Sequence, residues 1–133
     1  MYARIDNVDL LCTDVEQIKD FYHGLLGLPL HFPYEPGSGW VALDAGNLTL
    51  FVFETTNADR EERRTPENEV NRPGWDSLAF EVEDLDAEIE RLDGKVEWAA
   101  EIIDWHHPSG AWYRYRPIYD PEGNMFYVTE PHR

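Results

Sequence analysis

Five histidines, a single cysteine and a band of aromatic residues are the means by which this chain could do chemistry. His106 and His107 stand side by side ahead of Pro108-Ser109-Gly110, which reads as a turn, so their rings diverge wherever the backbone is extended. His23 falls on a helix, His31 in a strand and His132 in the tail. No two of the five have the i, i+4 spacing of a helical metal pair or the i, i+2 spacing of a strand pair. Cys12 alone makes neither an internal disulfide nor a cysteine-rich metal site. There is no Ser-His-acid grouping, no phosphate-binding glycine loop and no dinucleotide fingerprint; Gly24-Leu25-Leu26-Gly27 is too short to be one. Each histidine therefore reads first as a polar surface or pocket side chain. Were there acid–base chemistry, His106 or His107 would be the base to choose, since imidazole exchanges protons near physiological pH.

The aromatic residues carry more information. Alternation along residues 48–54 places Thr49, Phe51 and Phe53 on one face of a strand and Leu48, Leu50 and Val52 on the other. The stretch EWAAEIIDWHHPSGAWYRYRPIY adds Trp98, Trp105, Trp112, Tyr113, Tyr115 and Tyr119, interleaved with Arg114 and Arg116. Such a set fills a core and a subunit interface in one reading. In the other it lines a pocket that stacks on a flat ligand, with hydroxyls and guanidinium groups fixing its orientation.

These residues need elements to position them. Ile5, Val8, Leu10 and Leu11 suit a strand over 4–12. Thr13 or Asp14 then caps a helix with Glu16 in its first turn. Val15, Ile18, Phe21, Tyr22 and Leu25 form its apolar stripe, and Gly24 and Gly27 end it ahead of Pro29. Strands are expected over 30–34, 40–44 and 48–54, the last two a hairpin around Ala45-Gly46-Asn47. Residues 76–103 repeat the opening: a strand over 76–82, a helix capped near Glu83–Asp84 with Leu85, Ile89 and Leu92 inward, Gly94, and a strand over 95–103. Laid over the first copy so that Asp6 meets Asp76, Asn7 meets Ser77, Val8 meets Leu78 and Asp14 meets Asp84. Strands over 111–119 and 125–129, joined by Asp120-Pro121-Glu122-Gly123, complete the second copy. The result is an α+β chain of two β-α-β-β-β modules, 1–56 and 74–133, joined by a polar linker over 57–73.

Length and composition set the outer bounds. The chain has 133 residues, of which 42% are hydrophobic, enough for one domain with a core. No apolar run approaches membrane-helix length, and the start lacks a secretory signal, so a cytoplasmic protein without a membrane partner is expected. Against 27 acids stand 11 Lys and Arg, a net charge of −16. That field repels nucleic acid and anionic lipid. It either keeps a solvated surface soluble, as in a halophilic host, or draws in cationic ligands.

Three pieces together resemble the vicinal oxygen chelate superfamily, which includes glyoxalase I, extradiol dioxygenases, fosfomycin-modifying enzymes and bleomycin-resistance proteins. They are TDVEQIKDFYHGLLGLPL, SLAFEVEDLDAEIERL and DPEGNMFYVTEP, in family order and covering nearly the whole chain. The resemblance implies paired βαβββ modules with strands curled into a cup, in many short members completed by a homodimer. It also implies a divalent metal held by His, Glu or Gln at positions that fall here on Asn7, Thr49, Ser77 and Tyr127. None of these is an ordinary ligand for such a metal, and a shift of one residue turns each side chain to the opposite face. No metal and no cofactor are therefore expected.

The form that remains is similar to the bleomycin-resistance branch: a metal-independent protein that sequesters an aromatic natural product or antibiotic. Its expected ligand-binding residues are Asn7, Thr49, Phe51, Phe53, Ser77, Trp98, Trp105, His107, Trp112, Tyr115 and Tyr127, with no catalytic residue. Two alternatives stay open. One is a metal-free or atypical isomerase, lyase, cyclase or dioxygenase-like enzyme using His106, His107, Glu54 or Arg114. The other is an interaction module whose cup is filled by its own side chains.

Overall fold

The computed structural model describes every residue, Met1–Arg133. It divides the chain into two compact units, Met1–Arg60 and Glu61–Arg133, each built on its own mixed sheet. Between them the two units hold eight strands in two mixed sheets and few helices, the α+β composition expected of paired βαβββ modules.

In the first unit β1 (Asn7–Cys12) runs parallel to β3 (Thr49–Glu54), and β2 (Trp40–Asp44) pairs antiparallel with β3, giving the order β1-β3-β2. Alternation sorts the residues as hydropathy demands. Leu50 and Val52 of β3 and Val41 and Leu43 of β2 are buried with Val15, Ile18, Phe21 and Tyr22 of the helical segment. That segment is α1 (Val15–Lys19) continued by a π-helical turn over Asp20–Leu25. The amide of Leu26 reaches back to the carbonyl of Phe21, and Gly27, at φ +83°, closes the element. The strand expected over 30–34 is not formed. Only Leu30 bridges to Leu43, with the His31 amide donating to the Ala42 carbonyl. Pro29 and Pro33 bracket this stretch, and neither has an N–H to extend a ladder.

In the second unit β4 (Leu78–Glu81) lies parallel to β8 (Met125–His132), and β7 (Trp112–Tyr119) pairs antiparallel with β8. The strand expected over 95–103 is broken into β5 (Glu97–Trp98) and β6 (Ile103–His106), both paired to β7. The cause lies in the partner strand. Pro117 accepts the Ala99 amide at 3.0 Å but has no N–H to return, so the ladder stops there, and the next carbonyl, that of Ala100, accepts from Arg116 Nε at 2.9 Å. α2 (Leu85–Leu92) buries Leu85 and Leu92 beneath Ile118, Phe126 and Val128.

The two units echo each other at their helix starts. Asp14 accepts the Gln17 amide at 3.1 Å, and Asp84 accepts the Ala87 amide at 3.0 Å. A glutamate from the C-terminal half of the last strand adds a second acceptor to each. Glu54 takes the Val15 amide at 3.2 Å and Glu130 the Leu85 amide at 2.8 Å. Each helix thus begins on two acids, which satisfies orphan N–H groups and opposes the positive end of the helix dipole. Asp84→Ala is expected to cost about 1 kcal/mol, read as a lower urea midpoint. Asp84→Asn, which keeps the acceptor, should lie close to wild type, and an unchanged midpoint for the alanine variant would remove the cap from this account.

Candidate functional site

Each sheet packs one face on its helix, and the opposite, partly exposed faces collect most of the expected binding residues. In the first unit Asn7 and Thr49 are register partners, as are Asp9 with Phe51 and Leu11 with Phe53. Asn7 donates to Asp9 at 2.7 Å. Phe51 and Phe53 lie nearly parallel, 6.0 Å apart at 9°. Phe32 closes on both Phe51 and Trp40, at 6.5 and 6.3 Å. The sequence pattern did not single out Phe32, because residues 30–34 were read as regular strand. Leu11, Phe32 and Phe53 keep 62, 45 and 38% of their surface exposed, although buried neighbours on the other face alternate with them.

In the second unit the pleat divides the expected aromatics. Tyr113, Tyr115 and Tyr127 share a face with Met125, Thr129 and Glu81, and Trp105, opposite Tyr113, joins them. Tyr115 and Tyr127 approach to 4.8 Å between ring centroids, and Trp105 lies 5.7 Å from Tyr113 and 5.9 Å from His107. The His107 ring binds the Ser109 hydroxyl at 2.8 Å and accepts the Ser109 amide at 3.1 Å, which ties it to its own turn. Ser77 precedes β4, its hydroxyl 3.4 Å from Asp76.

Trp98 and Trp112 fall on the opposite face. Trp112 is sandwiched between His106 at 5.4 Å and His132 at 4.0 Å, a cross-strand ladder of rings that continues β6-β7-β8. His132 is therefore part of a strand rather than of a tail. Trp98 stacks under Arg116, whose guanidinium carbon is 4.2 Å from the ring centre. Neither tryptophan can act with Tyr115 and Tyr127 on one ligand surface, because adjacent residues of a strand face opposite ways.

The residues named for acid–base work have structural partners instead. Glu54 holds the Val15 amide, and Arg114 lies 3.3 Å from Asp86 and 3.9 Å from Asp104. Glu130 is held below the usual carboxylate range, first by the Leu85 amide and then by His132 at 2.6 Å. Tyr34 is pushed up to about 12 by its hydrogen bond to Glu16. Burial raises Tyr115, with the neighbouring Tyr127 adding to the shift.

The donor set at the family's metal positions consists of an amide, two hydroxyls and a phenol: Asn7, Thr49, Ser77 and Tyr127. It does not fit a divalent transition metal, which wants imidazole, thiolate or carboxylate. No group of three or more His, Cys, Asp or Glu side chains is placed to hold a metal ion. No helix is long and apolar enough to cross a membrane.

Sequence comparison agrees with this geometry. The model of the glyoxalase/bleomycin resistance protein/dioxygenase superfamily matches residues 4–128, and the chain belongs to that superfamily. No curated protein matches the sequence. Among solved structures, the chain resembles a glyoxalase family protein from Enterococcus faecalis at 21% identity and a TM-score of 0.69, over 97% of this chain and 98% of that one. A lactoylglutathione lyase from Agrobacterium tumefaciens is 22% identical, with a TM-score of 0.65 over 98 and 95% of the two chains. A glyoxalase/bleomycin resistance protein/dioxygenase from Alicyclobacillus acidocaldarius is 15% identical, with a TM-score of 0.69 over 98 and 93%. These likenesses concern the fold.

Proposed function

We propose that this protein binds a flat aromatic natural product without a metal and holds it away from its target, acting as a cytoplasmic homodimer. The observation that carries this reading is the set of rings left exposed on the partly exposed sheet faces. Phe32, Phe53 and Trp105 keep 45, 38 and 50% of their surface in contact with solvent. Phe32 and Phe53 group with Phe51 in the first unit, and Trp105 groups with Tyr113 in the second, so each unit offers a stacking surface, where rings scattered singly would need no explanation. Sequestration asks only for affinity and stoichiometry, which is consistent with a site whose carboxylates and guanidinium groups are engaged in holding the fold. The net charge of −16 further favours cationic or neutral ligands over anions.

Titrating tryptophan fluorescence with a panel of polycyclic and cationic antibiotics tests the reading. Saturable quenching at micromolar ligand is expected for at least one member, and Trp105→Phe should remove most of it. No quenching by any member would overturn the proposal. Conversion of a bound ligand into product would replace it with the enzymatic alternative, of the isomerase, lyase, cyclase or dioxygenase-like kind.

A further inference from the structure

The phenols of the second unit divide into those that hold the fold and those with nothing to hold. Tyr119 donates its hydroxyl to the Arg64 carbonyl at 2.6 Å and carries the Arg63 guanidinium on its ring at 4.4 Å. Tyr115 and Tyr127 have no hydrogen-bond partner in the chain, and no buried polar side-chain atom is left unsatisfied. Neither hydroxyl is therefore sealed from solvent, although the rings lean on each other at 4.8 Å and 43°. The pairing is diagonal across adjacent strands: Tyr115 is opposite Thr129, and Tyr127 is opposite Pro117.

The surroundings narrow what such a pair would recognise. Arg114 and Arg116 alternate with Tyr113 and Tyr115 and so face the helix side, where they meet Asp86 and stack on Trp98. Glu81 sits on the phenols' own face and is exposed. Arg133 pairs with that carboxylate at 3.5 Å, so the face offers an anionic ligand no unengaged guanidinium. A phenol supplies a hydrogen-bond donor without a charge, and the Trp105–Tyr113 pair supplies flat apolar surface on the same face. Burial holds the Tyr115 phenol up, so it remains a protonated donor through neutral pH.

We propose that Tyr115 and Tyr127 form a donor pair that selects flat aromatic ligands bearing a neutral carbonyl or quinone oxygen. This rests on the aromatic-binding reading and sharpens it. The ring faces supply affinity for any flat hydrocarbon of suitable size. The two hydroxyls discriminate among them, because they exchange hydrogen bonds with water for hydrogen bonds to the ligand oxygen only when that oxygen is present.

Fluorenone and fluorene make a matched pair of probes, since they share a tricyclic skeleton and differ in a carbonyl against a methylene. Equilibrium dialysis should show fluorenone binding about tenfold more tightly than fluorene to the wild-type protein. Tyr115→Phe and Tyr127→Phe should each weaken fluorenone about threefold and leave fluorene unchanged. Infrared spectroscopy gives a second readout that needs no variant. The carbonyl stretch of bound fluorenone should fall below its value in an aprotic solvent, and should recover in the double variant. Equal binding of the two probes, or phenylalanine variants that keep the preference, would overturn the donor pair while leaving aromatic binding intact. Failure of both probes to bind would overturn both.

Discussion

Replacing Asp120 with alanine is expected to lower stability by about 3 kcal/mol and the melting temperature by about 10 °C. Asp120 is 3% exposed and accepts three hydrogen bonds within five residues. One carboxylate oxygen takes the amides of Glu122 and Asn124 at 2.9 and 3.0 Å, and the other takes the Asn124 side chain at 2.8 Å. Alanine leaves these donors without an acceptor where water reaches poorly, and each orphaned group costs desolvation energy. Gly123 stands at φ +86°, and a Cβ there would sit 2.9 Å from Arg63 Nε. Arg63 is itself pinned by a two-point pairing with Glu97, at 2.6 and 3.2 Å. Asp120→Asn keeps one oxygen as acceptor and should lose about half as much. A calorimetric melt of the alanine variant within 2 °C of wild type, on the order of the error in such estimates, would show that the turn does not hold β7 to β8.

The same turn shows what could be read in the sequence and what could not. Asp120, Gly123 and Asn124 announce a tight turn by residue type alone, since aspartate binds nearby amides and glycine tolerates positive φ. The stripe of Val15, Ile18, Phe21 and Tyr22 was equally plain, because a helix buries one face at a fixed period. The division of residues 95–106 into β5 and β6 was not, because its cause is Pro117 in the neighbouring strand. A break imposed from across the ladder leaves no mark on the local pattern. The placement of Trp112 was available but was obscured by grouping the hairpin's aromatics by density. Trp112 and Tyr113 are sequence neighbours in one strand, so the pleat must part them. The paired glutamates also left a signal. Val52-Phe53-Glu54 and Val128-Thr129-Glu130 lie in the C-terminal halves of matching strands of the two copies, and both deliver an acid to a helix start. Partners far apart in sequence stayed hidden until the repeat was aligned at its end as well as at its beginning.

Glu130 turns that second cap into a prediction about acid. Its carboxylate accepts the Leu85 amide at 2.8 Å, binds His132 at 2.6 Å and has the Arg114 charge nearby; its side chain is 15% exposed. These contacts favour the ionised form, so the folded pKa lies below the unfolded value of about 4.3. A group depressed on folding contributes its full stability above the unfolded value and loses it as pH falls through the folded one. Glu97, lowered by Arg63, and Glu16, lowered by Tyr34 and Lys19, act in the same direction. Acid unfolding should therefore steepen below about pH 4. Glu130→Gln isolates the contribution of one group. Glutamine still offers an oxygen to the Leu85 amide but no charge to the helix start, to Arg114 or to a protonated His132. Its cost at pH 7 should be about 1–2 kcal/mol, and the gap to wild type should narrow as the pH falls below about 4, where the unfolded chain takes up the proton that folded Glu130 resists. Salt separates this local effect from the general one. At a net charge of −16, raising the ionic strength at pH 7 should stabilise both proteins alike by screening self-repulsion. The difference between them should survive in large part, because the hydrogen bond to the Leu85 amide is short-ranged and partly shielded from solvent. A gap that stayed constant from pH 7 to pH 3 would mean that the ionised carboxylate contributes nothing beyond its shape, and the second acid at this helix start would then be an ordinary neutral acceptor.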